Sequence, residues 1–180
     1  DGATAMAEAA MMACGITGRS EVLVSRTVHP HWRDVLATYA RDRGMKILTV
    51  DYLDGVSNLA ELSRLVTDNT AAVICQTPNF FGCLEDLRGI GEIAQKQGAL
   101  LITAVNPISL GVLEAPGALG ADIVIGEAQS LGLPLSFGGP YIGFLATRDK
   151  WLRRTPGRIV GQTVDHDGTR GFVLTIQARE

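Results

Sequence analysis

The feature that most limits what this chain can become is an alternation: short runs of Val, Ile and Leu recur along it, separated by longer stretches with helical periodicity. The runs are "EVLVS" (21–25), "MKILTVD" (45–51), "AAVICQ" (71–76), "ALLITAV" (99–105), "ADIVI" (121–125) and "GPYIGFLAT" (139–147). Most are unbroken apolar stretches rather than alternations of apolar with polar. Both faces of such strands are covered, which is the condition of strands in a parallel sheet. Between them, helices are predicted for "DGATAMAEAAMMACG" behind the Asp1 cap, and from Pro30 to Gly44, where Trp32, Leu36, Tyr39 and Ala40 share a face. Two more are predicted for Asn58–Val66 and for Asp86–Gln97, the latter closed by Gly98. The order predicts a three-layer α/β/α domain around a mostly parallel sheet. No internal repeat or low-complexity linker divides it, so residues 1–180 read as a single domain. The start at Asp1 without Met or leader, and the end in mid-pattern at "LTIQARE", read as a piece of a longer chain.

Composition narrows the function classes. With 180 residues, 46% hydrophobic and 19% charged, the chain is long enough to bury a sizeable core. A net charge of -3 and a pI near 5.6, with Lys and Arg spread along the chain, argue against a nucleic-acid partner. No apolar run reaches the roughly 20 residues of a membrane-spanning helix, so no membrane is expected. Cys14, Cys75 and Cys83 are odd in number and lack a CxxC pair. That favours a reducing cytoplasm, with the cysteines as small buried fillers.

The motif with most chemical interest is the loop after "ADIVI", residues 126–144, "GEAQSLGLPLSFGGPYIGF". Loops leaving the carboxyl end of a parallel strand are where α/β proteins keep reactive side chains. This one offers Glu127, Gln129 and Ser130, but no lysine, cysteine or histidine. Its "GGPYIG" (138–143) has Pro140 where a dinucleotide fingerprint needs Gly, and no Walker lysine is present. Ser130 lacks a nucleophile elbow, which leaves a loop-capping hydroxyl. His29 and His31 flank Pro30, and His166 sits between Asp165 and Asp167 in a polar turn. Neither spacing matches a metal site, and no metal is expected. Lys46, Lys96 and Lys150 each read as solvated rather than as cofactor carriers.

The order of elements resembles the large domain of the fold-type I pyridoxal-phosphate (PLP) enzymes. Within that class, "TPNFFGCLEDL", "NPISLGVLEAPGALGADIVIGEAQSLGLPLSFGGPYIGF" and "TPGRIVGQTVDHDGTRGFVLTIQARE" resemble the first subunit of two-subunit glycine decarboxylase, the P-protein of the glycine cleavage system. The resemblance runs through nearly all of the chain.

It implies a set of roles, position by position. The active members carry a lysine after this strand, and the catalytic second subunit has His-Lys there. The corresponding place here is Gln129-Ser130, and a serine hydroxyl forms no Schiff base. The acidic partner of the pyridine nitrogen falls at Asn106, which is neutral and holds no proton on that nitrogen. Gly2, Ala3 and Thr4 form the vestigial phosphate-gripping helix start, and His29 stands near the place of a ring-stacking histidine. The implied cofactor is PLP in the assembled enzyme, bound by the partner subunit, with none in this fragment. The implied partners are the second decarboxylase subunit, glycine and the lipoyl carrier (H-) protein, in a heterotetramer. Phe80 and Phe81, together with Arg158, Gln162, Thr163 and Asp165, are the candidates for completing the partner's site; an exposed hairpin is an equal reading of the last four. Two alternatives stay open: another PLP enzyme with its lysine outside the fragment, and a non-catalytic ligand-binding scaffold.

Overall fold

The computed structural model describes residues 1–176. Helix α1 (Gly2–Thr17) starts where Asp1 accepts a bond from the Thr4 amide at 2.8 Å, and ends at Gly18, whose φ of 70° suits glycine. Ala7, Ala9, Ala10 and Ala13 are fully buried, and these small side chains let the helix lie close against a sheet. Strand β1 (Glu21–Ser25), helix α2 (Pro30–Arg41) and β2 (Lys46–Val50) follow. A short antiparallel ribbon, β3 (Tyr52–Leu53) with β4 (Val56–Ser57), leads to α3 (Leu59–Leu65), β5 (Thr70–Gln76) and α4 (Leu87–Lys96). Then come β6 (Leu100–Val105), β7 (Ile123–Glu127) and β8 (Gly143–Thr147), and finally β9 (Ile159–Val164) and β10 (Arg170–Thr175).

The main sheet has six strands in the order β2-β1-β5-β6-β7-β8. All neighbours run parallel except β7 and β8, which are antiparallel. Successive side chains of a strand point to opposite faces, and here that divides the apolar runs between two cores. Val22, Val24, Ile74, Ile102, Ile123 and Ile125 pack with Met6, Ala10 and Leu36 from α1 and α2. Leu23, Val73, Cys75 and Leu101 pack with Leu62, Leu87, Ile90 and Ala94 from α3 and α4. The expected α/β/α layering with a mostly parallel sheet is therefore the observed one.

Several boundaries differ from the sequence reading. Helix α2 stops at Arg41, and Gly44 lies in the following turn with φ 66°. Leu36 and Ala40 are buried on it, whereas Tyr39 stands at the exposed edge of that face. The run from 139 becomes strand only at Gly143, because Gly138 and Gly139, at φ 115° and 152°, turn the chain before it. Gly126 is required in β7: a Cβ there would meet the Val105 carbonyl at 2.2 Å and the Phe144 ring at 2.6 Å. Residues 159–175 form an antiparallel hairpin that, among the described residues, is a separate two-stranded sheet apart from the main one.

Candidate functional site

From β1 the chain moves outward to β2, while the next strand of the main sheet, β5, lies on β1's other side. A crevice opens at the carboxyl edge near such a reversal. It is about 230 Å³ and is lined by Trp32, Gln76, Val105, Asn106, Glu127, Gln129 and Ser130. Each lining group is delivered by an element end: Gln76 by β5, Val105 and Asn106 by β6, Glu127 by β7, and Trp32 by the first turn of α2. Gln129 and Ser130 sit on a short 3-10 turn, residues 129–131.

Glu127 organises the floor. Its carboxylate accepts from the Gly2 amide at 2.9 Å, the Gln129 amide at 3.0 Å and the Ile142 amide at 2.8 Å. Burial pushes its carboxyl up, but the bonds from Ile142, Gly2 and Gln129 outweigh that, and the carboxyl is held below its usual range. Opposite it, Ser130 Oγ lies 3.5 Å from Asn106 Oδ1, and the same oxygen accepts from the Ile108 amide at 3.0 Å, capping a 3-10 turn. Asn106 thus has a structural use at the position where the resemblance expects an acid.

His29 adjoins two of the lining residues, Gln76 and Trp32. Its amide donates to Gln76 Oε1 at 2.9 Å, and its Nδ1 accepts from the His31 amide at 3.2 Å, which starts α2. Its ring meets Phe80 edge-on with centroids 5.1 Å apart. Burial first, then the electrostatic influence of His31 and Arg33, lower its pKa, which favours the neutral imidazole. Phe80 and Phe81 are half-exposed, and Phe81 also packs against Tyr52 at 5.0 Å. Beneath this aromatic loop is buried Glu85. It accepts from Thr27 Oγ1 at 2.7 Å, Asn79 Nδ2 at 2.8 Å and the Ser57 amide at 2.9 Å. Asn79 Oδ1 in turn accepts from the Phe81 and Cys83 amides, both at 3.0 Å, and so fixes the turn that carries the aromatics.

Among the described residues no lysine lines the cleft. Lys46 pairs with Glu21 at 2.9 Å where β1 and β2 begin, Lys96 ends α4, and Lys150 stands 4.2 Å from the Trp151 ring just after β8. Because α4 and β8 run against the parallel strands, all three lysines lie at the amino edge of the sheet, opposite the cleft. Of the positions singled out in the sequence, Asn106, Gln129 and Ser130 come together in the cleft, with the Gly2 amide beside them on Glu127. His29, Phe80 and Phe81 do not line it: His29 adjoins the lining residues Gln76 and Trp32, and Phe80 and Phe81 continue outward from His29. Arg158, Gln162, Thr163 and Asp165 do not join it. They are exposed on the β9–β10 hairpin, where Asp165 Oδ1 holds the turn by accepting from the Asp167 and Thr169 amides at 2.9 Å.

The family profile described as "Glycine cleavage system P-protein" matches residues 1–180. The chain belongs to the glycine cleavage system P-protein family. Among P-protein relatives, a probable glycine dehydrogenase (decarboxylating) subunit 1 of Desulforamulus reducens is 58% identical over 180 residues. Its namesake in Brevibacillus brevis is 60% identical over 181 residues. Each match takes in 100% of this chain and 40% of the relative's length. A crystal structure of glycine decarboxylase (P-protein) of the glycine cleavage system, in inhibitor-bound form, superposes with a TM-score of 0.90 at 51% identity, covering 99% of this chain and 40% of that one. An aspartate aminotransferase mutant of Thermus thermophilus, at TM-score 0.61 and 15% identity over 82% of this chain and 43% of its own, shares the fold.

Sequence reading missed the parts played by Glu127, Glu85 and Asn79. The available signal was an acid at the very end of a buried strand, in a fold whose opening helix attracts anions. The donor set in the cleft does not fit a covalently held PLP: its lining has no amine, Asn106 is neutral, and Glu127 already occupies the first amide of α1.

Proposed function

We propose that this chain is the non-PLP-carrying part of the first subunit of a two-subunit glycine decarboxylase. It pairs with a PLP-bearing second subunit in a cytoplasmic heterotetramer that decarboxylates glycine and passes the aminomethyl group to the lipoyl carrier protein. The observation that carries this reading is the cleft itself: its lining holds Ser130 where the resemblance expects the lysine, and every lysine of the chain stands at the far edge of the sheet. In the assembled enzyme PLP supplies the electron sink for loss of the carboxyl group, and it belongs to the partner.

The residues of this chain shape and complete. Glu127 and Asn106 fix the cleft, while Phe80 and Phe81 present a rigidly mounted aromatic face beside it. The hairpin bearing Arg158, Gln162, Thr163 and Asp165 exposes Val160, Val164, Phe172 and Leu174, more than a free two-stranded ribbon keeps in water. Its apolar side chains support a role as an interface element. The free Cys14, Cys75 and Cys83 support a reducing compartment, and among the described residues no helix is long and apolar enough to cross a membrane.

The test is exchange of the glycine carboxyl group with labelled bicarbonate, using the full-length subunit containing this chain, the second subunit and the lipoyl carrier. Exchange should require both subunits, and borohydride should trap no pyridoxal adduct on this subunit alone. A trapped lysine adduct here would overturn the reading.

A further inference from the structure

Three backbone donors far apart in sequence converge on one carboxylate. Gly2 opens α1, Gln129 follows β7 and Ile142 leads into β8, and all three amides end on Glu127 within 3.0 Å. The other side-chain-bound amide of the first turn, that of Thr4, is taken by Asp1 at 2.8 Å. Aligned amides at a helix start draw an anion, and here the anion is part of the chain. An arriving phosphate would have to displace a tethered group already holding three bonds. It would also meet the Glu127 charge, which stays ionised well below neutral pH. Packing leaves little slack: a Cβ on Gly2 would lie 2.4 Å from the Trp32 ring and 3.1 Å from the Glu127 amide.

We propose that Glu127 is an internal substitute for a phosphate group. It closes this half's anion site to phosphate and to phosphorylated cofactors, and it uses the freed donors to fix α1, the 128–131 turn and the approach to β8 relative to one another. The inference rests on the lysine-free cleft of the proposed function, not on the pairing with a second subunit.

The experiment titrates inorganic phosphate, and separately pyridoxal phosphate, into the isolated full-length subunit, followed by phosphorus NMR and calorimetry. Wild type, Glu127→Ala and Glu127→Gln are compared, with circular dichroism as the check of folding. Wild type should show no saturable binding. The alanine variant should bind phosphate at least about tenfold more tightly, with pyridoxal phosphate competing, and the glutamine variant should gain less. Wild-type binding as tight as the alanine variant's would overturn the proposal, as would a folded alanine variant that binds no better than wild type. Should the alanine variant not fold, the glutamine variant decides by the same criterion. Phosphate binding to wild type without any lysine adduct sinks this inference alone, whereas an adduct trapped on a lysine sinks the functional reading.

Discussion

Two loops leave the carboxyl edge of the sheet, and each is organised by one glutamate in a different way. After β5, Glu85 is buried and gathers two side chains and one backbone amide. After β7, Glu127 is only part-buried and gathers backbone amides alone. The first loop is held from inside: among the described residues no buried side-chain nitrogen or oxygen lacks a partner, and the aromatics it mounts are fixed by Asn79. The second is pinned at its two ends, while Leu131, Leu135, Phe137 and Tyr141 between them remain exposed. One loop carries its own support, and the other has apolar surface that its own chain does not cover.

The comparison breaks most directly at Glu85. Glu85→Ala leaves Thr27 Oγ1, Asn79 Nδ2 and the Ser57 amide without their acceptor, and should cost the full-length subunit about 3 kcal/mol in urea unfolding. A loss under about 1 kcal/mol would show that the β5 loop does not depend on this carboxylate.

At Glu127 the expected effect is smaller and depends on pH. Its carboxyl is held low in the folded state, so its contribution is complete above the ordinary glutamate value of about 4.3 and is lost as pH falls through the lower folded value. The stability gap between wild type and Glu127→Gln should therefore be constant near neutrality and shrink in acid below about pH 4. A gap that is flat down to pH 2 would remove the ionised carboxylate from the account.

The least effect on stability is expected for Phe81→Ala. The ring is half-exposed, so unfolding should shift by no more than about 0.5 kcal/mol, while association with the second subunit should weaken by about tenfold. Unchanged association, read by sedimentation, would separate this aromatic face from the interface.

The layers were legible because burial on both faces writes itself into a strand as unbroken Val, Ile and Leu; "AAVICQ" and "ALLITAV" became β5 and β6 almost as read. Helix starts were legible from Asp1, Asn58 and Asp86, whose side chains accept from amides three residues on, and from Pro30 at the first position of α2. What was not legible depends on distance along the chain. Gly2 and Glu127 meet across 125 positions, and Thr27 and Glu85 across 58, and no local pattern encodes such a pair. The reversal of β8 escaped for the same reason: an antiparallel edge strand and a parallel one have similar apolar runs, and only the partner's register separates them. Ser130 and Asn106 were found by resemblance, but the 3-10 turn that gives Asn106 its structural use needed coordinates.

One residue of the second core has a further consequence, in time rather than in energy. Cys75 lies at the centre of the sheet, where burial first, and the nearby Glu85 charge second, push its thiol up to about 12, against a weaker pull from Thr103. Only a thiolate reacts with an alkylating reagent, so the native molecule presents nothing to attack there. Each modification of Cys75 marks one opening of β5 to solvent, while Cys14 and Cys83, both partly exposed, report on the folded surface. The chain thus carries its own clock for native-state opening, set into the strand that separates its two cores.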